Sequence, residues 1–254
     1  STAVSLIRQN VPDPGADMTT QNTIPVRERL IFAMDVQNAN EARRLCDRLG
    51  DSVQFYKLGL ELFMAGEYFE LLDWMVGKGK KIFVDLKFYD VPATVAAAVR
   101  RLRNRGVCYA TVHGNRSIME AAAEAKGDVK VLAVTVLTSL NESDVREMGY
   151  QGAVSDLVLT RARGALEVGC DGVISSGQEA QMLRANLDPR LIVVTPGIRP
   201  AENRPADDQK RVVTVEQAFQ WGADHIVVGR PIRNAPDPRA AAEAIQSSIA
   251  TLFS

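Results

Sequence analysis

Cysteine is scarce and scattered in this chain. Cys46, Cys108 and Cys170 lie far apart and form no CxxC pair. That spacing argues against a disulfide framework or a zinc site and fits a reducing, cytoplasmic setting. No apolar run reaches the length of a membrane span. The N-terminus lacks the basic, apolar and small-residue order of a signal peptide. An excess of one charge is also missing, since 30 Lys and Arg face 31 Asp and Glu for a net charge of −1. The chain therefore has no general attraction for nucleic acid or an anionic membrane, and a small anionic substrate would need a local basic pocket. No GxGxxG follows the first apolar run, which argues against a dinucleotide-binding open sheet. No His/Cys cluster or carboxylate cage with ligand spacing stands out, so no metal is expected.

What is present is regular alternation. The 254 residues, 46% hydrophobic and 24% charged, have the length of one eight-fold barrel and the composition of a globular protein. Residues 1–24 are polar and without clear period, and are expected to form a poorly ordered N-terminal tail. Residues 25–254 are expected to form a single (β/α)8 barrel domain. Short apolar runs rich in Val, Ile and Phe stand at Leu30–Met34, Val53–Leu58, Ile82–Leu86, Tyr109–Val112, Val131–Leu137, Gly172–Ile174, Leu191–Val194 and Ile226–Val228. They read as buried parallel strands. Between them lie stretches with helical spacing, among them Ala42-Leu45-Cys46-Leu49, Leu60-Phe63-Phe69-Leu72 with Met75, and Val95-Val99-Leu102. Several end at glycine, at Gly50, Gly106, Gly169 and Gly222, as helices that stop in a left-handed turn do.

The C-terminal tips of barrel strands are where chemistry is built. Here they carry Asp35, Lys57, Asp85-Leu86-Lys87 with Asp90 beyond, His113, Thr135 to Thr138, Thr195 to Arg199, and Gly229-Arg230. Strand alternation puts Asp85 and Lys87 on one face, toward the barrel mouth, with Leu86 and Phe88 toward the helices. Two carboxylates ~5 Å apart repel by roughly 3 kcal/mol at an effective dielectric of ~20. Intervening lysines offset this, which yields a charge array fixed before substrate arrives. An ion-pair network that merely closes the barrel end is the alternative. Gly229 and Arg230 after the last strand suit a phosphate, through close backbone approach and a guanidinium fork; a plain turn with a solvated arginine would read the same. From Arg199 to Arg211 the chain is a long polar stretch, a candidate lid or an idle surface loop. His113 suits either acid–base work or rim packing, and His225, at the opposite end of the barrel, is assigned no chemistry.

The run Asp85-Leu86-Lys87-Phe88-Tyr89-Asp90-Val91-Pro92-Ala93-Thr94 resembles the signature of the orotidine 5′-monophosphate decarboxylase family. So do Phe32-Ala33-Met34-Asp35, Tyr56-Lys57-Leu58-Gly59, Val134-Thr135-Val136-Leu137-Thr138-Ser139, Val194-Thr195-Pro196-Gly197-Ile198-Arg199-Pro200 and Val228-Gly229-Arg230-Pro231. The resemblance runs from about residue 26 to the end. The Asp-x-Lys-x-x-Asp element marks a wider group of phosphate-binding barrels; its continuation into Pro-x-Thr, and the Thr-Pro-Gly-Ile-Arg-Pro run, are specific to the decarboxylase.

The resemblance implies decarboxylation of orotidine 5′-monophosphate to uridine 5′-monophosphate without cofactor. It makes Lys87 the proton donor to C6, sets Asp85 beside the departing carboxylate, and completes a tetrad with Lys57 and Asp90. It implies a homodimer in which Asp90 and Thr94 act in trans. Asp35 and Lys57 would hold ribose, Thr138 and Gln209 the base, and Arg199, Gly229 and Arg230 the phosphate, which Gln209 also reaches. Tyr89 stands where bacterial members commonly have histidine. The rival readings are a metal-dependent sugar-phosphate decarboxylase or aldolase on the same barrel, and a non-catalytic phosphate-binding barrel.

Overall fold

The structure, a computed structural model, describes residues 23–200 and 213–254. Eight parallel strands close into one barrel in sequence order: β1 Leu30–Ala33, β2 Phe55–Gly59, β3 Lys81–Phe88, β4 Val107–His113, β5 Lys130–Val134, β6 Gly172–Ile174, β7 Ile192–Thr195 and β8 His225–Val228. Pairs Leu30↔Ile226 to Phe32↔Val228 seal β1 to β8. The expected (β/α)8 barrel is thus formed. The apolar runs located the strands, but β3 and β4 are longer than their runs, and β5 stops three residues before its run does.

The helices are α1 Ala39–Leu49, α2 Leu60–Ala65, α3 Tyr68–Gly77, α4 Pro92–Arg101, α5 Arg116–Ala125, α6 Glu142–Glu147, α7 Val154–Val168, α8 Gly177–Asn186, α9 Val215–Gln220, α10 Arg230–Arg233 and α11 Pro238–Leu252. Their starts follow from local chemistry. Asn38 accepts the Glu41 N–H at the start of α1, and Ser176 with Glu179 and Thr214 with Gln217 form reciprocal caps at α8 and α9. The stretch from Leu60 to Met75 is two helices and not one. Gly66 and Glu67, at φ 92° and 56°, break the helical hydrogen bonding between α2 and α3. The break turns Leu60, Phe63 and Met64 outward, where they stay exposed.

The core has two shells. Alternate strand residues such as Phe32, Leu58, Val84 and Val112 face the helices. The others, including Ile31, Phe55, Phe83, Tyr109, Leu132 and Ile192, fill the barrel. Phe55, Phe83 and Tyr109 lie ring against ring. Each such side chain contributes on the order of 1.5–3 kcal/mol on burial. The interior is therefore solid, and the C-terminal mouth is a floored depression.

Candidate active site

The floor of that depression is apolar. Phe83, Val134, Ile174, Val194 and Val227 line a cavity of about 140 Å³ whose polar groups include Lys57, Asp85 and Lys87. Lys57 reaches it from β2, and its Nζ lies 3.3 Å from Asp85 Oδ2. Lys87 Nζ stands 3.0 and 2.9 Å from the two Asp85 oxygens. Asp85 is 6% exposed. Burial alone would raise its pKa, but Lys57, Lys87 and hydrogen bonds from Lys87 and Thr111 outweigh burial and hold it below the ordinary carboxylate value. An anion flanked by two ammonium groups, in a cavity walled by hydrocarbon, is a preorganised electrostatic device.

Asp85 and Lys87 do converge, but not by plain alternation. Lys87 sits at φ 47°. The β3–β4 ladder pairs Val84 with Ala110 and then jumps to Phe88 with Val112. Two extra residues of β3 are accommodated there, and Lys87 takes a left-handed conformation that costs a non-glycine residue roughly 1–3 kcal/mol. The Lys87 N–H, which has lost its strand partner, donates to Thr111 Oγ1 at 3.0 Å.

Beside this cavity lies a second, of about 390 Å³, lined by Asp35, Glu61, Pro196 to Arg199, Gly229 to Pro231 and Arg233. Lys57, Pro196 and Val227 border both. The two depressions form one trough with the lysine–aspartate cluster at one end and three guanidinium groups at the other. Gly229 precedes the single turn of α10, which carries Arg230 and Arg233 on one face. Arg233 also donates to the backbone carbonyl of Asp35, tying the β1 and β8 tips together. Thr138 lines the apolar-floored cavity beyond β5.

Asp90 and Thr94 are not brought into this trough. Both are exposed, on the loop after β3 and the first turn of α4. The Asp90 carboxylate accepts its neighbour Val91's N–H at 2.7 Å, and it has no ion-pair partner among the described residues. Gln209 and most of the candidate lid lie outside the described residues, as does the N-terminal tail through residue 22. His113 stacks on Tyr89 with ring centroids 4.7 Å apart, and burial, with Arg161 and Lys87 nearby, lowers its pKa. Tyr89 does not line either cavity of the trough.

Thr111, Arg233 and Glu61 are the site residues that motif reading missed. Thr111 had a signal in its inward register between Tyr109 and His113, and Arg233 in its three-residue spacing from Arg230.

A barrel with this floored charge cluster, one trough-length from a set of guanidinium groups, defines a (β/α)8-barrel enzyme for a small anionic substrate. The chain belongs to the orotidine 5′-phosphate decarboxylase / HUMPS family, whose model matches residues 28–245. It is 62% identical over 230 residues to orotidine 5′-phosphate decarboxylase of Methylococcus capsulatus, covering 91% of this chain and 95% of that one. It is 54% identical to the protein of that name from Xanthomonas euvesicatoria, covering 89% and 93%. The crystal structure of orotidine 5′-phosphate decarboxylase from Lactobacillus acidophilus superposes with a TM-score of 0.77 at 35% identity, covering 87% of this chain and 99% of that one.

Proposed function

We propose that this chain converts orotidine 5′-monophosphate to uridine 5′-monophosphate, the last step of de novo UMP synthesis, with Lys87 as the proton donor. The observation that carries the reading is the Lys57–Asp85–Lys87 cluster above an apolar floor. In the reaction the bond from C6 to the carboxylate breaks and CO2 leaves. The electron pair stays on C6 in an orbital the ring does not delocalise well. The Lys87 ammonium stabilises that charge and then transfers its proton to C6; water restores the lysine's proton afterwards. Asp85, held ionised, fixes the Lys87 ammonium and stands beside the departing carboxylate.

Arg199, Gly229 and Arg230 grip the phosphate at the far end of the trough, and Asp35 with Lys57 holds the ribose between. Thr138 meets the base, together with Gln209. Contacts remote from C6 in this way convert binding energy into rate. The trough supports this assignment: Asp35 shares one cavity with the guanidinium groups, and Lys57 borders both that cavity and the one that holds Asp85 and Lys87.

The enzyme works as a homodimer in which Asp90 and Thr94 complete the neighbour's site. Two features support this. Asp90 lacks a cationic partner among the described residues of its own subunit. Of the exposed large hydrophobics, Leu60, Phe63, Met64, Tyr89 and Val91 lie on the loops and helices that follow β2 and β3, in sequence beside Asp90 and Thr94, while Met148 and Tyr150 follow β5. A two-fold contact there would bury that apolar surface and exchange the carboxylates reciprocally. The scattered cysteines and the near-balanced charge favour a cytoplasmic setting without nucleic acid or membrane as partner. No described helix is long and apolar enough to cross a membrane, and the three cysteines are free.

The direct test follows the absorbance change as orotidine 5′-monophosphate is consumed. Stoichiometric formation of uridine 5′-monophosphate is expected; no turnover at micromolar enzyme would overturn the reading.

A further inference from the structure

Thr111 lies in the middle of β4 and points into the barrel, in register with Tyr109 and His113 on the same face. It is fully buried. Its hydroxyl touches both members of the Asp85–Lys87 pair. Oγ1 donates to Asp85 Oδ1 at 2.8 Å and accepts the Lys87 N–H at 3.0 Å. The direction of each bond is fixed by chemistry. The Lys87 amide is a donor without acceptor capacity, and the ionised Asp85 carboxylate is an acceptor without a proton. A hydroxyl has one proton and free lone pairs, so it serves both at once.

The location matters as much as the bonds. Thr111 lies between Ala110 and Val112, the two β4 residues at which the ladder to β3 jumps. An ordinary strand residue there would leave the displaced Lys87 N–H buried without a partner. The Thr111 side chain replaces the missing ladder bond. It thereby stabilises the left-handed backbone at Lys87, and that backbone sets where the Lys87 ammonium points.

We propose that Thr111 is a positioning residue that sets the Asp85–Lys87 pair for proton delivery to the substrate carbon. The proposal rests on the reading above in which Lys87 donates the proton. Without the hydroxyl, Asp85 keeps its lysines but loses the contact that fixes its rotation, and Lys87 relaxes toward an ordinary strand conformation. Displacement of a reacting group by ~1 Å costs on the order of a hundredfold in rate. Of the contacts assigned to phosphate and ribose, Asp35, Arg199, Gly229 and Arg230 lie in the adjoining cavity, and Lys57, which borders both cavities, keeps its ion pair with Asp85.

The test compares Thr111→Val with Thr111→Ser in the full chain, with Lys87→Ala and wild type measured alongside. Thr111→Val should lower kcat by about a hundredfold while KM for the nucleotide moves less than about threefold. The acid limb of its kcat profile should shift to higher pH, because the Asp85 carboxylate has lost a donor. Thr111→Ser should restore kcat to within about threefold of wild type and return the acid limb, since the hydroxyl is retained. A Thr111→Val protein with kcat within threefold of wild type would overturn the proposal. So would equal losses in the Val and Ser variants, which would assign the effect to packing. If Thr111→Val does not fold, as judged by its melting transition, Thr111→Cys takes its place under the same criteria, its thiol being a weak donor and acceptor. Failure of the underlying reading looks different: wild type would leave orotidine 5′-monophosphate intact, or Lys87→Ala would keep a normal kcat.

Discussion

The two ends of the barrel use the same kinds of residues in opposite ways. At the N-terminal end His225 is fully buried, with Nδ1 bonded to the Glu28 carbonyl and Nε2 to the Tyr109 hydroxyl, both at 2.8 Å. Asp224 takes the Arg184 guanidinium at 2.6 Å and the Val193 N–H at 2.9 Å, and Arg29 donates to its carbonyl. Each charged group there faces partners from neighbouring strands and loops, so the network ties the barrel together. At the C-terminal mouth Asp85 is buried and paired, but charges around it are left open. The Lys87 side chain is 33% exposed, Arg230 is exposed, and Asp90 has no cationic partner among the described residues. Closed networks contribute to stability; open ones hold charge ready for a ligand. The difference teaches that exposure of the charged partners to an open cavity, and not residue type, separates chemical from structural ion pairs in this fold.

That contrast can be broken by substitution at either end. The largest effect is expected at the mouth. Lys87→Ala should lose at least ~4 kcal/mol of transition-state stabilisation, about a thousandfold in kcat, with the melting temperature held or raised. A drop in stability with normal turnover per folded molecule would make the mouth cluster structural. Asp224→Ala should do the reverse. It strands a buried guanidinium, which costs about 3–5 kcal/mol of folding stability, while kcat per folded molecule stays near wild type. Urea denaturation beside turnover at active-site-titrated concentration separates the two.

Arg230→Ala sharpens the assignment within the mouth. It should reduce kcat/KM for the nucleotide by about 2–3 kcal/mol, or some 30- to 150-fold, by loss of charged hydrogen bonds to phosphate. The slow reaction of the phosphate-free nucleoside should hardly change. Equal fractional losses on both substrates would mean that Arg230 supports the fold.

The smallest effect is a pH slope from the closed end. Burial drives the His225 pKa down from 6.5 to about 3. The unfolded chain binds a proton near pH 6.5 and the folded one does not. Stability is therefore full above about pH 6.5 and declines as pH falls from there toward about 3, by up to ~1.4 kcal/mol per unit. His225→Asn should flatten the slope of unfolding free energy between about pH 6 and 4.5 by about one proton. An unchanged slope would show that His225 does not set it.

The barrel was legible because its strands are apolar on both faces and its helices end at glycines such as Gly50 and Gly169, which the structure confirms as left-handed or otherwise positive-φ caps. Asp35, Lys57, Asp85 and Lys87 were legible because strand tips in such a barrel face one mouth. Three features were not. The break at Gly66–Glu67 interrupts a run whose apolar spacing continues across it, so periodicity joins two helices into one. The displaced ladder at Lys87 violates the two-residue period that strand reading assumes. Thr111 carries no charge and belongs to no motif, so its role emerges when the gap it fills is seen. Asp90 is the instructive case: its motif spacing points to the tetrad, yet its own subunit leaves it outside the cluster.

Asp90 is also where the account is tested most directly. Lys87→Ala and Asp90→Ala, each expected to be inactive alone, are mixed under conditions that let subunits exchange, and decarboxylation of orotidine 5′-monophosphate is followed. If Asp90 serves the neighbour's site, a mixed dimer carries one doubly damaged site and one intact site. Random pairing makes half the dimers mixed, so about a quarter of wild-type activity should return. A mixture that stays inactive while native mass spectrometry detects mixed dimers would contradict the shared, charge-completed site.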